Sequence, residues 1–165
     1  MGMGIAQIAA TAGHEVYLYD NNNDATSAAL KKINHFLNRS VEKGRITDQE
    51  ASTIFGRIYG IESLSSVADA GLVIEAIIEN IDIKLKVLRE IESYVSVDCI
   101  LASNTSSLSI TSLAAGIEKS SRFIGIHFFN PATCYHENCS RIFPCVSDQS
   151  KTTTDLCLDT IDQLV

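Results

Sequence analysis

What this 165-residue chain lacks bounds it before anything it contains. Basic residues are scarce: 13 Lys and Arg stand against 20 Asp and Glu, a formal net charge of −7. Nucleic acids and anionic membranes both call for a basic face, so this balance argues against either partner. No apolar run approaches the ~20 residues of a membrane span, although 45% of residues are hydrophobic and mean hydropathy is +0.12. No basic stretch precedes an apolar one near Met1, so no secretion signal is read there. The five cysteines are an odd, scattered set. They suit reduced thiols in a cytosol better than a disulfide framework, and a cytoplasmic setting is expected. Internal repeats and low-complexity tracts are absent. Disorder is excluded as well, because a chain of this size buries roughly 70% of its unfolded surface.

What is present is an alternation of short β-branched runs with longer segments of helical period. Ile5, Ile8, Ala9 and Ala12 fall at helical spacing up to Gly13, and Glu15 to Asp20 reads as a strand. A helix is expected from Ala25 to about Lys43, with Ala29, Ile33, Phe36, Leu37 and Val41 on its buried stripe and Gly44 as its stop. Thr47 and Glu50 have capping-box spacing for a helix to about Phe55. Ile58 to Ile61 reads as a strand. The apolar run Leu72 to Ile78 reads as a strand covered on both faces. A helix over Ile81 to Val95, a strand over Cys99 to Ala102, a short helix from Ile110 capped by Ser109, and a strand over Phe123 to Phe129 follow. Beyond Pro131 the pattern loosens until a last helical segment, Thr152 to Val165. Strands alternating with helices predict a doubly wound α/β fold with a mainly parallel sheet.

Ligands of such sheets bind beyond the carboxyl ends of the strands. There the chain places Asp20, Glu79, the cluster Ser103-Asn104-Thr105-Ser106, and His127 with Asn130, which directs the reading towards one cleft. Gly2 and Gly4 open the first helix, where backbone amides and the helix dipole can receive a pyrophosphate. Asp20 lies about where a dinucleotide site needs an acid for ribose hydroxyls. Close helix–sheet packing at the glycines and a turn role for Asp20 are the plainer alternatives. His127 reads either as a hydrogen-bonded core residue or as a base. Ser106 reads as a backbone cap or as a hydroxyl sharing a substrate atom with that base. A hydrolase is disfavoured because no G-x-S-x-G elbow is present. Cys134, His136, Cys139 and Cys145 lack the paired C-x-x-C spacing of structural zinc, so free thiols are expected and no metal.

The segments Gly4 to Gln7, Ala9 to His14, Leu72 to Ala76, Ala102 to Leu108 (A-S-N-T-S-S-L) and His127 to Pro131 (H-F-F-N-P) resemble the 3-hydroxyacyl-CoA dehydrogenases. The resemblance runs from Met1 to about Ala132, and its last two blocks are the most specific. It implies a Rossmann-type NAD-binding domain over 1–165, lacking the family's first strand and first two fingerprint glycines and diverging from about residue 133. The helical dimerisation domain is absent, although full-length members are expected to be homodimers. The implied activity is NAD-dependent oxidation of an L-3-hydroxyacyl-CoA, short in chain, to the 3-ketoacyl-CoA of fatty acid metabolism. His127 would be the general base, Ser106 would bond the reacting oxygen, and Asn130 would position the ligands. Gly2, Asp20, Glu79 and Lys84, with Ser106 and Asn130, would contact NAD. Lys43 would reach the CoA phosphates, and Phe36 stands where some members carry a CoA-contacting serine. The family's glutamate that pairs with the histidine falls on Cys139, or on Arg141 with a two-residue insertion; Glu137 is a nearby carboxylate. A non-catalytic NAD- or CoA-binding remnant is the rival expectation, and an oxidoreductase for small hydroxy acids is a third.

Overall fold

The computed structural model describes residues 1–128 and, as a backbone strand, 140–144. These form two compact units, one built on Met1–Ser63 and the other on residues 64–128 with the strand at 140–144.

The first unit runs α1 (Gly2–Thr11), β1 (Val16–Tyr19), α2 (Asn23–Glu42), α3 (Asp48–Phe55) and β2 (Ile58–Ile61). Its local signals act as the sequence predicts. Asn22 caps α2 by accepting from the Asp24 amide at 3.0 Å. Thr47 and Glu50 form a complete capping box on α3. Gly13 and Gly44 take φ of +106° and +64°, the left-handed conformation that ends a helix at little steric cost. The strands pair in parallel, Val16 opposite Ile58 through Tyr19 opposite Ile61. Because strand side chains alternate, Val16, Leu18 and Ile58 face the helices and join a core of Ala10, Ile33, Leu37, Ala51 and Ile54. Tyr17 and Tyr59 stand on the other face with ring centroids 5.7 Å apart. Arg57 donates from Nη1 to the Ala10 carbonyl at 3.0 Å, a second donor to a carbonyl in the last turn of α1 that also accepts the Gly13 amide at 3.2 Å.

The second unit holds β3 (Leu72–Glu75), α4 (Ile81–Glu92), β4 (Ile100–Ser103), α5 (Ile110–Ala114), β5 (Phe123–Phe128) and β6 (Ser140–Pro144). Single 3-10 turns occupy Leu64–Val67 and Ser120–Arg122. The sheet order is β3-β4-β5-β6, parallel except for β6, which runs against β5 with Arg141 opposite His127. All four β4 residues are buried, as befits a central strand. Ser109 caps α5 through the Ser112 amide. At the other end of this sheet, Glu92 accepts from the amides of Glu118 and Lys119 and from Arg122 Nη2 at 3.1 Å. Burial pushes the Glu92 carboxyl up, but those donors outweigh it and hold the group below the ordinary carboxylate range. The Arg122 guanidinium also donates to the carbonyls of Ser96 and Cys99. Burial pushes the free Cys99 thiol up.

Four expectations need correction. The strand read over Leu72 to Ile78 ends at Glu75, and Ile77 and Ile78 are exposed. The buried Glu75 carboxylate turns back to accept the Ile77 amide at 2.7 Å, and Asn80 N–H closes a tight turn on the Ile78 carbonyl. Nor is this strand covered on both faces: Leu72, Val73 and Ile74 are half-buried, and β3 lies at the edge of its sheet. Phe36, expected on the buried stripe of α2, is exposed, so the stripe runs through Ile33 and Leu37 without it. Strand β6 falls where the pattern after Pro131 loosens and no strand is read from the sequence. Cys134, His136, Cys139 and Cys145, Asn130, Glu137 and the helix expected over residues 152–165 lie outside the described residues.

Gly116 has a steric role of its own. A Cβ there would overlap Leu85 Cδ2 and stand 2.9 Å from Cδ1, so α4 approaches this backbone more closely than alanine permits. Gly116→Ala is expected to lower unfolding free energy by about 1–2 kcal/mol through overpacking, read from the urea midpoint at constant slope. An unchanged midpoint would mean that Leu85 repacks freely.

Candidate active site

The second unit gathers its polar groups at the carboxyl ends of β3, β4 and β5. Parallel pairing sets Glu75 opposite Ser103, and both side chains are buried. Ser103 Oγ donates to Glu75 Oε2 at 2.7 Å. Lys84, one turn into α4 and 1% exposed, donates to Glu75 Oε1 at 2.6 Å and to the Ile77 carbonyl at 3.3 Å. Its Nζ also lies 3.4 Å from Glu79 Oε2.

Glu79 continues the network towards solvent. Its carboxylate accepts the Thr105 hydroxyl at 2.8 Å, the Ser106 amide at 2.8 Å and the Ser106 hydroxyl at 3.2 Å. Burial alone would raise its pKa. The Ser106 amide, the Thr105 hydroxyl and the Lys84 ammonium together outweigh that and hold it at about 2. Thr105 Oγ1 in turn accepts from the Leu108 amide at 3.0 Å, shaping the turn after β4. Asn104 Oδ1 accepts the Phe128 amide at 2.8 Å, tying that turn to β5 beside half-buried His127. Glu79, Lys84 and Ser106 are thus brought together, with His127 on the strand that Asn104 holds.

The first unit carries Gly2, Asp20 and Lys43. Helix α1 opens on Gly2-Met3-Gly4 with neither a side-chain cap nor an acid in its first turn, an arrangement that suits an anion. Asp20, at the end of β1, accepts the Asn22 amide on Oδ1 at 2.9 Å and is exposed, so a carboxylate oxygen remains for hydroxyl donors. These residues fit the phosphate and ribose of a dinucleotide. Lys43 caps α2 and is exposed. Phe36 is exposed beside the His35 ring.

Sequence reasoning passed over Glu75, named Ser103 only within the polar cluster after the fourth strand, and read Lys84 only as a cofactor contact. A signal for the first and last was there. Glu75 interrupts the run L-V-I-E-A-I-I, and Lys84 shares a helical face with Leu88 and Ile91, both buried. A charge at each such position demands a partner.

Alternating helices and parallel strands, with polar groups gathered at the strands' carboxyl ends, define a Rossmann-type dinucleotide-binding domain. The chain belongs to the 3-hydroxyacyl-CoA dehydrogenases: residues 1–136 match that family's NAD binding domain, and NAD is its cofactor. It is 44% identical over 131 residues to a probable 3-hydroxybutyryl-CoA dehydrogenase of Bacillus subtilis, covering 79% of this chain and 46% of that protein. It is 38% identical over 132 residues to the 3-hydroxyadipyl-CoA dehydrogenase of Escherichia coli, covering 80% and 28%. Among solved structures, the (S)-3-hydroxybutyryl-CoA dehydrogenase of Ralstonia eutropha superposes with a TM-score of 0.90 at 35% identity, over 99% of this chain and 57% of that one. The chain therefore spans about half the length of the 3-hydroxybutyryl-CoA dehydrogenases it matches.

Because its folded pKa is depressed, Glu79 contributes stability above its ordinary pKa of 4.5 that is lost as pH falls towards about 2. The side chain is 37% exposed, so solvent screening reduces the contribution to about 1 kcal/mol. Glu79→Gln is expected to lower stability by that amount at neutral pH and to flatten the acid limb of a stability–pH curve. An acid limb identical to that of the unaltered chain would contradict the network.

Proposed function

We propose that this chain supplies the cofactor-binding and reacting groups for interconversion of a short L-3-hydroxyacyl-CoA and its 3-ketoacyl-CoA. The observation that carries the reading is the Glu79–Thr105–Ser106 network at the ends of β3 and β4, tied through Asn104 to the strand bearing His127. Bound NAD would supply the acceptor for the hydride that leaves C3 of the alcohol. His127 takes the hydroxyl proton as general base, so the alcohol loses one hydride and one proton. The Ser106 hydroxyl, 3.2 Å from Glu79, would turn its proton from that carboxylate to the reacting oxygen and so orient it, leaving the substrate proton to His127. Gly2 and the first turn of α1 receive the pyrophosphate, Asp20 the ribose hydroxyls, and Lys43 the CoA phosphates. Asn130 positions the ligands. Homodimerisation, as expected of full-length family members, and a cytoplasmic setting belong to the same reading. No helix among the described residues is long and apolar enough to cross a membrane.

A binding-only role has one specific observation behind it. The β5–β6 register puts Arg141 opposite His127, where the family resemblance calls for a carboxylate. A carboxylate there would stabilise the imidazolium formed when His127 takes the proton, and this register position carries none.

The test is calorimetry with NADH together with loss of NADH absorbance in the presence of acetoacetyl-CoA. Turnover supports the dehydrogenase reading, micromolar binding without turnover supports a binding module, and neither binding nor turnover overturns both. Arg141→Glu is expected to raise turnover about tenfold or more, the scale of a positioned general base. No gain in a chain that does turn over would show that position 141 does not act on His127.

A further inference from the structure

We infer that Glu75 and Lys84 are positioning residues, a buried pair that sets the Glu79 carboxylate and through it the Ser106 hydroxyl; this rests on the dehydrogenase reading of Ser106. The argument starts from donors and acceptors. A lysine ammonium has three N–H groups. Around Lys84 Nζ stand three acceptors: Glu75 Oε1 at 2.6 Å, the Ile77 carbonyl at 3.3 Å and Glu79 Oε2 at 3.4 Å. With the side chain 1% exposed, that set uses every donor the residue has. Lys84 therefore faces the segment 75–79 of its own chain and fixes both ends of it.

Glu75 is equally committed. One oxygen receives Lys84 and the Ile77 amide at 2.7 Å, the other the Ser103 hydroxyl at 2.7 Å, and its backbone carbonyl receives the Asn104 amide at 2.8 Å. It clamps β3 to β4 at the point where the two segments leave the sheet, one towards Glu79 and the other towards Thr105 and Ser106. Glu79 then closes the ring by accepting from both. A serine hydroxyl on a loop is free to rotate and drift. Here its amide and hydroxyl share one carboxylate, and that carboxylate is held from below by a buried cation. Such second-layer support is what keeps a reacting group within the fraction of an ångström that proton and hydride transfer require.

Lys84→Met keeps the length of the side chain and removes the cation. Nuclear magnetic resonance on the chain is expected to show the Glu79 carboxyl titrating at higher pH and amide exchange at Thr105 and Ser106 quickening about tenfold. Arg122→Lys, far from the network, serves as the control: it lowers global stability and leaves the Glu79 titration unmoved. Glu75→Gln retains acceptor and shape on one side and is expected to shift the same signals by less, which keeps the inference testable if Lys84→Met does not fold. In turnover assays Lys84→Met is expected to lower kcat about tenfold or more while KM for the cofactor changes less than threefold. An unmoved Glu79 titration in a folded Lys84→Met chain overturns the inference. So does a loss expressed in cofactor KM, which would put Lys84 on the cofactor instead. Should the unaltered chain show no turnover, the functional reading fails, and the resonance measurements still decide the positioning role.

Discussion

One buried ammonium organises the chemistry-bearing half of this protein. Taking a charge out of water costs several kcal/mol unless partners surround it. Lys84 meets that cost with a buried carboxylate, a carbonyl and a second carboxylate at the rim. Each partner is thereby constrained in turn. Glu75 must sit where β3 and β4 end, so the strand cannot run on through Ile78. The segment that follows must bend to bring Glu79 back, and Glu79 must face the turn after β4. The exposed Ile77 and Ile78 are the cost of that bend, apolar side chains carried outward because the backbone serves the carboxylates on either side.

The opposite end of the same sheet is built on the same logic with the charges reversed in role. There Glu92 is the receiver, gathering two amides and the Arg122 guanidinium, and Nη1 of the arginine donates to the carbonyls of Ser96 and Cys99. No chemistry is assigned to that end. The contrast is instructive: both ion pairs are well buried, but only the first hands its constraint on to an exposed hydroxyl.

Much of the fold was legible in residue order because its signals are local. Capping at Asn22, Thr47 and Ser109, and the left-handed glycines at 13 and 44, act over three or four residues and need no tertiary knowledge. Strand β3 was misjudged for the converse reason. Its hydrophobic run continues past Glu75, and what stops it is a carboxylate that turns back on the Ile77 amide while held in place by Ser103, 28 residues away in sequence. The same holds at the site. Glu79, Ser106 and His127 stand out by type and spacing, whereas the part played by Glu75 depends on which strand lies beside it. Strand β6 escaped because an arginine, a proline and a serine mask its period.

The saturation of Lys84 also bears on how such a sequence can drift. Arginine cannot stand in, since its planar fork carries five donors into a pocket that offers three acceptors in a compact arrangement. Loss of either charge leaves the other stranded away from water. Positions 75 and 84 are therefore bound to change together or not at all, and in a set of diverged relatives they should behave as a single inherited character rather than as two.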